Sequence, residues 1–419
     1  MQSAPRHANI LLLLLVSAVT INYLDRGTLS VAAPRIAQDL LISPTQMGAL
    51  FSAFFWTYSS FQLLAGWLVD RYPLKYLYAA GFLLWSLATA AVGLTGNFPQ
   101  LLAARLLLGI GESIAYPASS KIIVQYFPEQ RRGFANALVD AGSKLGPGLS
   151  TLLGALALSS FGWRGLFLIA GIGSLFWLIP WFWLSTPRAS SEAAPAETAS
   201  PSPSWAQLLR CRQLWGASAG MFSLGYVLYF LLSWLPTYLM QERGASLSSL
   251  AALGSAPFLA MAAASLAGGW ISDRRIAAGW DAGKTRRAFA VSGLMLCALA
   301  ILPAPVVSNP AVCVALLTVA CGCLGLFTSN VWAISQTLAG PAAAGRWTGV
   351  QNAVGNLGGV VSPLVTGWIV SQTGSFALAF TTAAVVLAAG AAVYLLSLGT
   401  IQPVSWTNLY ANSYRSSRF

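Results

Sequence analysis

Charge is what this sequence has least of. Of its 419 residues only 34 are Lys, Arg, Asp or Glu, or 8%, against about 25% in a soluble domain. So few cannot cover the surface of a water-soluble protein of this length, in which 56% of residues are hydrophobic. Histidine is nearly missing. The single one, His7, lies in the N-terminal tail, so proton chemistry within the apolar part must fall to carboxylates. The five cysteines, Cys211, Cys297, Cys313, Cys321 and Cys323, sit mostly in apolar runs. Cys321-x-Cys323 has no histidine or carboxylate beside it, which argues against a metal site; neither metal nor cofactor is expected. No phosphate loop, histidine cluster or nucleophile motif marks a catalytic centre.

What the sequence has in quantity is long apolar runs. Windows of spanning length fall at 10–33, 45–69, 75–95, 98–126, 133–158 and 164–185. They resume at 211–239, 247–271, 286–305, 310–338, 346–370 and 374–398. A helix needs about 20 apolar residues to cross a bilayer, and runs this long read as helices rather than barrel strands. The expected fold is an all-α integral membrane protein of twelve transmembrane helices in two six-helix bundles. The first run reads as an uncleaved helix, since cutting after Ala18 would halve it and free Asp25-Arg26. Residues 186–208 include a Pro-, Ser- and Ala-rich stretch that reads as a linker. The expected divisions are therefore a bundle at 1–185, a linker at 186–208, a bundle at 209–399 and a tail at 400–419.

Placing every positive charge sets the orientation. With the N-terminus cytoplasmic, sixteen of the 23 Lys and Arg fall on that side, three opposite, and four within spans. Both termini and the linker are then cytoplasmic, and most of the net charge of +12 is explained by the positive-inside bias. Nucleic acid is not needed as a partner. The halves also echo each other. Gly66-Trp67-Leu68-Val69-Asp70-Arg71 ends the second span and Gly269-Trp270-Ile271-Ser272-Asp273-Arg274 the eighth. Asn136-Ala137, Gly142 and Pro147 match Asn352-Ala353, Gly358 and Pro363 at a constant offset.

Charges at membrane depth each cost about 2.5–3.5 kcal/mol on insertion scales and by default face a cavity or a partner. Asp25 and Arg26 close Asn22-Tyr23-Leu24-Asp25-Arg26 in the first span; Arg105 and Glu112 lie seven apart on the fourth, on one face. Asn136, Asp140 and Lys144 share a face of the fifth, where Lys144 either adds a positive charge to a cavity or pairs with Asp140. Lys121 is expected to snorkel to the interface.

Gly66-x3-Asp70-Arg71-Tyr72-Pro73-x-Lys75 resembles the loop 2–3 signature of the major facilitator superfamily. Asn22-Tyr23-x-Asp25-Arg26 with Arg105-x6-Glu112, together with Pro341-x3-Gly345-Arg346 and Gly349-x2-Asn352-x3-Asn356, resembles the anion:cation symporter family within it. The resemblance implies a secondary transporter of the bacterial inner membrane that moves a small organic anion, such as an aldonate, hexuronate or aldarate. Protons are the implied coupling ion, the bilayer the surroundings and a monomer the expected state. By motif position Asp25 and Glu112 would be the proton-coupling pair. Arg26 would bind the substrate carboxylate or hold Glu112, and Arg105 would pair with Asp25. Tyr23, Tyr58, Lys144, Trp332, Gln336, Asn352 and Asn356 complete the candidate substrate site. Gly66, Asp70, Arg71, Asp273 and Arg274 would form the gate, with Gly66 leaving room for a neighbouring backbone. An exporting antiporter and a non-transporting sensor of the same superfamily are the alternatives.

Overall fold

The computed structural model describes residues 6–127, 129–185, 203–404 and 406. Within these, the side chains at 6, 7, 63, 70, 124, 129–134, 136, 137, 341, 342, 344 and 345 lie outside the description. Thirteen helices run through it: α1 (Arg6–Asp39), α2 (Pro44–Arg71), α3 (Leu74–Val92), α4 (Phe98–Glu112), α5 (Ala115–Tyr126), α6 (Glu129–Leu175) and α7 (Leu178–Leu184). The second half has α8 (Trp205–Leu209), α9 (Arg212–Gln241), α10 (Leu247–Ala277), α11 (Ala282–Ile301), α12 (Pro310–Thr373) and α13 (Ala377–Leu398). No strand occurs among the described residues.

These helices make twelve crossings: α6 and α12 each hold two, α4 and α5 together make one, α7 completes the crossing that ends α6, and the five-residue α8 makes none. Gly162 (φ 65°, ψ 177°) and Gly340 (φ 64°, ψ 175°) turn the chain back inside them, in a conformation open to glycine and strained for other residues. The fourth crossing shows the reverse, one membrane pass split into α4 and α5. Pro117 cannot donate to the carbonyl of Ser113, so the helix is interrupted immediately after Glu112. Starts follow ordinary capping rules. Ser43 and Gln46 form a reciprocal capping box ahead of α2, and the side chains of Asn97, Ser246, Asp281 and Asn309 cap α4, α10, α11 and α12.

The two halves meet at one end only, as far as the described contacts go. A methyl group on Gly48 would lie 2.4 Å from the Pro363 carbonyl oxygen, and one on Gly367 2.5 Å from that of Pro44. Backbone therefore touches backbone between α2 and the end of α12. Thr45 Oγ1 donates to Ser371 Oγ at 3.0 Å and Ser52 Oγ to the Val360 carbonyl at 2.8 Å. Phe51 packs edge-on to Trp234 and Phe55 to Tyr229, while Gly254 of α10 faces Thr151 of α6. At the opposite end, where the basic loops lie, Gly66 has nothing within 4 Å of the place a side chain would take. The close backbone neighbour expected at Gly66 is thus not present, because the halves have parted there. Trp67 is 50% exposed.

This asymmetry gives a first prediction. Valine at Gly48 overpacks the closed end, at a cost of about 1–3 kcal/mol, and tips the chain toward opening on that side. A cysteine at Asn356, which is buried, should then be labelled faster by a membrane-impermeant maleimide applied to the face opposite the basic loops.

Candidate functional site

Between the halves lies a cavity of about 490 Å³ that both bundles line. The N-terminal half contributes Tyr23, Tyr58, Gln62, Tyr116, Asp140, Ser143, Lys144 and Pro147. Across from them stand Met221, Leu224, Leu228, Tyr229, Phe258 and Met261, with Thr328, Trp332, Thr348, Asn352 and Asn356. Six of the nine side chains expected to bind substrate therefore line it: Tyr23, Tyr58, Lys144, Trp332, Asn352 and Asn356.

Arg26, Arg105 and Gln336 do not. Gln336 continues the cavity face of α12 one turn beyond Trp332, and is exposed at the end where the halves are apart. Its neighbour Ser335 is buried away from the cavity and donates to Gln351 Oε1 at 2.6 Å. Arg26 and Arg105 lie beneath the cavity floor, each 4% exposed, with Asp25 at 1% and Glu112 at 0%.

Helices α1 and α4 build this buried quartet by their periodicity. Asn22, Asp25 and Arg26 fall at i, i+3 and i+4 on one face of α1, and Arg105 and Glu112 two turns apart on one face of α4. Arg26 Nε donates to Glu112 Oε2 at 2.8 Å. The guanidinium is also surrounded by rings, 4.4 Å from the Tyr23 centroid and 4.5 Å from those of Phe54 and Tyr58, each a favourable cation–π contact. Tyr23 and Tyr58 face the cavity with their other sides, so one layer of phenol separates Arg26 from the open volume.

The expected pairing of Arg105 with Asp25 is not observed. Arg105 Nε turns instead to the Leu50 carbonyl of α2 at 3.3 Å, its guanidinium 5.3 Å from the Phe54 ring. Asp25 lies against Thr89 of α3, and among the described residues neither of its oxygens has a hydrogen-bond partner. The same holds for Arg26 Nη1 and Nη2, Glu112 Oε1 and both ends of the Asn22 amide. A buried polar atom left unpaired costs about 1–3 kcal/mol. A cluster of them in one place marks a site arranged for something other than stability.

Lys144 bonds to Asp140 one turn away on the same helix. Lys121 donates to the Val69 carbonyl at 2.8 Å, so it caps the last turn of α2 rather than simply reaching for the interface. Of the gate residues, Asp70 lies outside the described side chains, as does Asn136. Arg71 stacks on Trp67 at 5.3 Å and Arg274 on Trp270 at 4.4 Å. Asp273 lies 4.0 Å from Arg286, within its own half.

Five polar cavity residues outside the expected set carry a readable signal. Gln62 follows Tyr58, and Tyr116 follows Glu112, by one helical turn, the spacing that brings side chains to the same face. Thr328 precedes Trp332 and Thr348 precedes Asn352 by the same turn, and Ser143 follows Asp140 by three residues. Trp181 resembles an interfacial belt residue by its place at a helix end, yet it is buried, stacked on Trp177 and donating to the Lys75 carbonyl at 2.9 Å.

Comparison with known proteins agrees with this architecture. The Major Facilitator Superfamily profile matches residues 15–363. The probable L-galactonate transporter of Escherichia coli K12 is 31% identical over 401 residues, covering 92% of this chain and 88% of its own. The hexuronate transporter of Bacillus subtilis 168 is 32% identical over 391 residues, covering 91% and 92%. The crystal structure of a bacterial homolog of the human lysosomal transporter Spinster, inward-facing and unoccupied, superposes with a TM-score of 0.75 at 19% identity, covering 100% of this chain and 99% of that one. The chain belongs to the Major Facilitator Superfamily and is a membrane transporter rather than an enzyme.

Proposed function

We propose that the chain is a proton-coupled symporter of the anion:cation type that imports a small organic anion of the sugar-acid class by alternating access. It would act as a monomer in a bacterial inner membrane, with both termini cytoplasmic. The observation that carries this reading is the state of Arg26. Its Nε is held by Glu112, its two terminal nitrogens have no hydrogen-bond partner among the described residues, and the Tyr23 and Tyr58 rings that lie against it line the cavity. An arginine so placed offers a planar fork that matches a carboxylate. It can bind an incoming carboxylate when its internal one releases it.

Protonation is what releases it. A neutral Glu112 no longer holds the guanidinium by charge, which leaves Arg26 for the substrate. The halves, parted on the basic-loop side and closed at Gly48 and Gly367, correspond to the step after substrate has left toward the cytoplasm, when Glu112 has taken Arg26 back. Asp25, buried alongside with no hydrogen-bond partner among the described residues, is the second proton-coupling carboxylate; Arg105 holds the α2 backbone next to it. The arginine-on-tryptophan contacts at Arg71 and Arg274 are the open-gate positions of residues that would engage across the halves when that end closes.

The names of the relatives supply the substrate class to try first. Purified protein in liposomes should accumulate D-galactonate or a hexuronate when the outside is made acidic, and lose accumulation when an ionophore collapses the gradient. Uptake indifferent to the gradient would remove proton coupling from the account. Efflux alone would point to an exporter.

A further inference from the structure

Among the described residues that line the cavity, Asp140 and Lys144 are the only charged ones, and the cycle described above makes no use of them. Their pair is lopsided. The Lys144 side chain is 15% exposed and that of Asp140 50%, so the ammonium is the buried member while its carboxylate already stands in the open volume. As a device for folding the pair contributes little. An i,i+4 ion pair is worth about 0.2–0.5 kcal/mol, and apolar side chains at this depth would avoid the cost of placing two charges there. The facing wall of Met221, Leu224, Leu228, Phe258 and Met261 offers no charge to an anion. Among the described lining residues, Lys144 is the one that can supply a second electrostatic anchor.

We propose that Lys144 receives a second acidic group of the substrate, with Asp140 turning out into the cavity water as the group arrives, so that the preferred substrate is a small diacid. This rests on the reading in which Arg26 takes the first carboxylate. The charges balance for two anionic groups. Protonation of Glu112 frees one guanidinium, and the departure of Asp140 frees one ammonium. A monoacid satisfies Arg26 alone and leaves Lys144 with its internal partner. Lysine suits this role because its ammonium is a point charge on a flexible stem and can follow the partner that changes. The apolar wall then packs against the carbon skeleton between the two anchored ends.

Galactonate and galactarate test this cleanly, since they share a carbon skeleton and differ in whether the far end is a hydroxymethyl group or a carboxylate. Hexanoate and adipate repeat the comparison without hydroxyl groups. Binding to the purified full-length protein, by calorimetry or thermal shift, should favour the diacid of at least one pair by about tenfold or more, the worth of a charged hydrogen bond. Lys144→Gln should bring that ratio close to one, Lys144→Arg should retain it, and Asp140→Asn should raise it by removing the internal competitor. Equal affinity for both members of each pair would overturn the proposal, as would a Lys144→Gln variant that weakens both acids and leaves the ratio intact. Galactonate bound and transported without any preference for galactarate would defeat this inference alone. Failure of all four acids to bind would defeat the sugar-acid reading and this inference with it.

Discussion

Replacing Glu112 by glutamine is expected to abolish gradient-driven accumulation while sparing the exchange of substrate across the membrane. Glutamine keeps the shape and an acceptor for Arg26, so the close contact between α1 and α4 survives. What it removes is the charge that competes with substrate for the guanidinium and the atom that carries the proton. Arg26, now held by a neutral amide, stays available to a carboxylate in both orientations of the transporter. Substrate should therefore bind at least as tightly as before, and counterflow of labelled against unlabelled anion should persist. The driving force is lost. One pH unit is worth about 1.36 kcal/mol for each proton moved, or about tenfold in accumulation, and the variant should reach equal concentrations on both sides and stop. Loss of counterflow along with accumulation would mean that Glu112 serves folding or substrate contact. Retention of both would remove it from coupling.

A pair of cysteines at Thr45 and Ser371 should form a disulfide that stops transport completely and reversibly. The two hydroxyl groups are 3.0 Å apart on α2 and α12, at the end where the halves are in contact. Opening of that end must separate them. Oxidation is expected to trap the chain open on the basic-loop side, with uptake falling to background and returning on addition of reductant. The native cysteines do not compete. Four of the five are buried and all are unpaired, and none lies at this end of α2 or in the second crossing of α12. An oxidised double variant that continues to transport would show that this contact stays closed throughout the cycle, and rocking of the halves would then be excluded as the mechanism.

Much of the fold can be read from the sequence because lipid imposes few solutions. Apolar runs of spanning length must be helices, and Lys and Arg in the loops mark one face. The split of the fourth crossing is likewise readable once Pro117 is noticed, and it leaves Glu112 at a helix end. The buried quartet stands out for a related reason, since each charge at that depth needs a compensating function or partner. Pairing within the quartet is a different matter. Arg105 could reach Asp25 or the Leu50 carbonyl with equal chemical sense, and the packing of α1, α2, α3 and α4 decides between them. The phenol layer over Arg26 depends on Tyr23 and Tyr58 converging from two helices, a tertiary fact with no local signature. Gln336 shows the limit for cavity residues. Its polarity and its helix face suit the site, but it lies one turn past Trp332, beyond the cavity and toward the open end. The choice of which end is open is a property of one conformer, and no local pattern in the sequence specifies it.

The central claim is that the exchange of Arg26 between Glu112 and the substrate carboxylate carries a proton with the anion. The most direct measurement is the pH inside proteoliposomes, followed with a trapped indicator as a sugar acid is added outside without an imposed gradient. The account predicts that the interior acidifies as anion enters, in fixed proportion to the anion taken up, and that the Glu112→Gln variant exchanges anion with no change in internal pH. Anion entry by the unaltered protein at constant internal pH would contradict it.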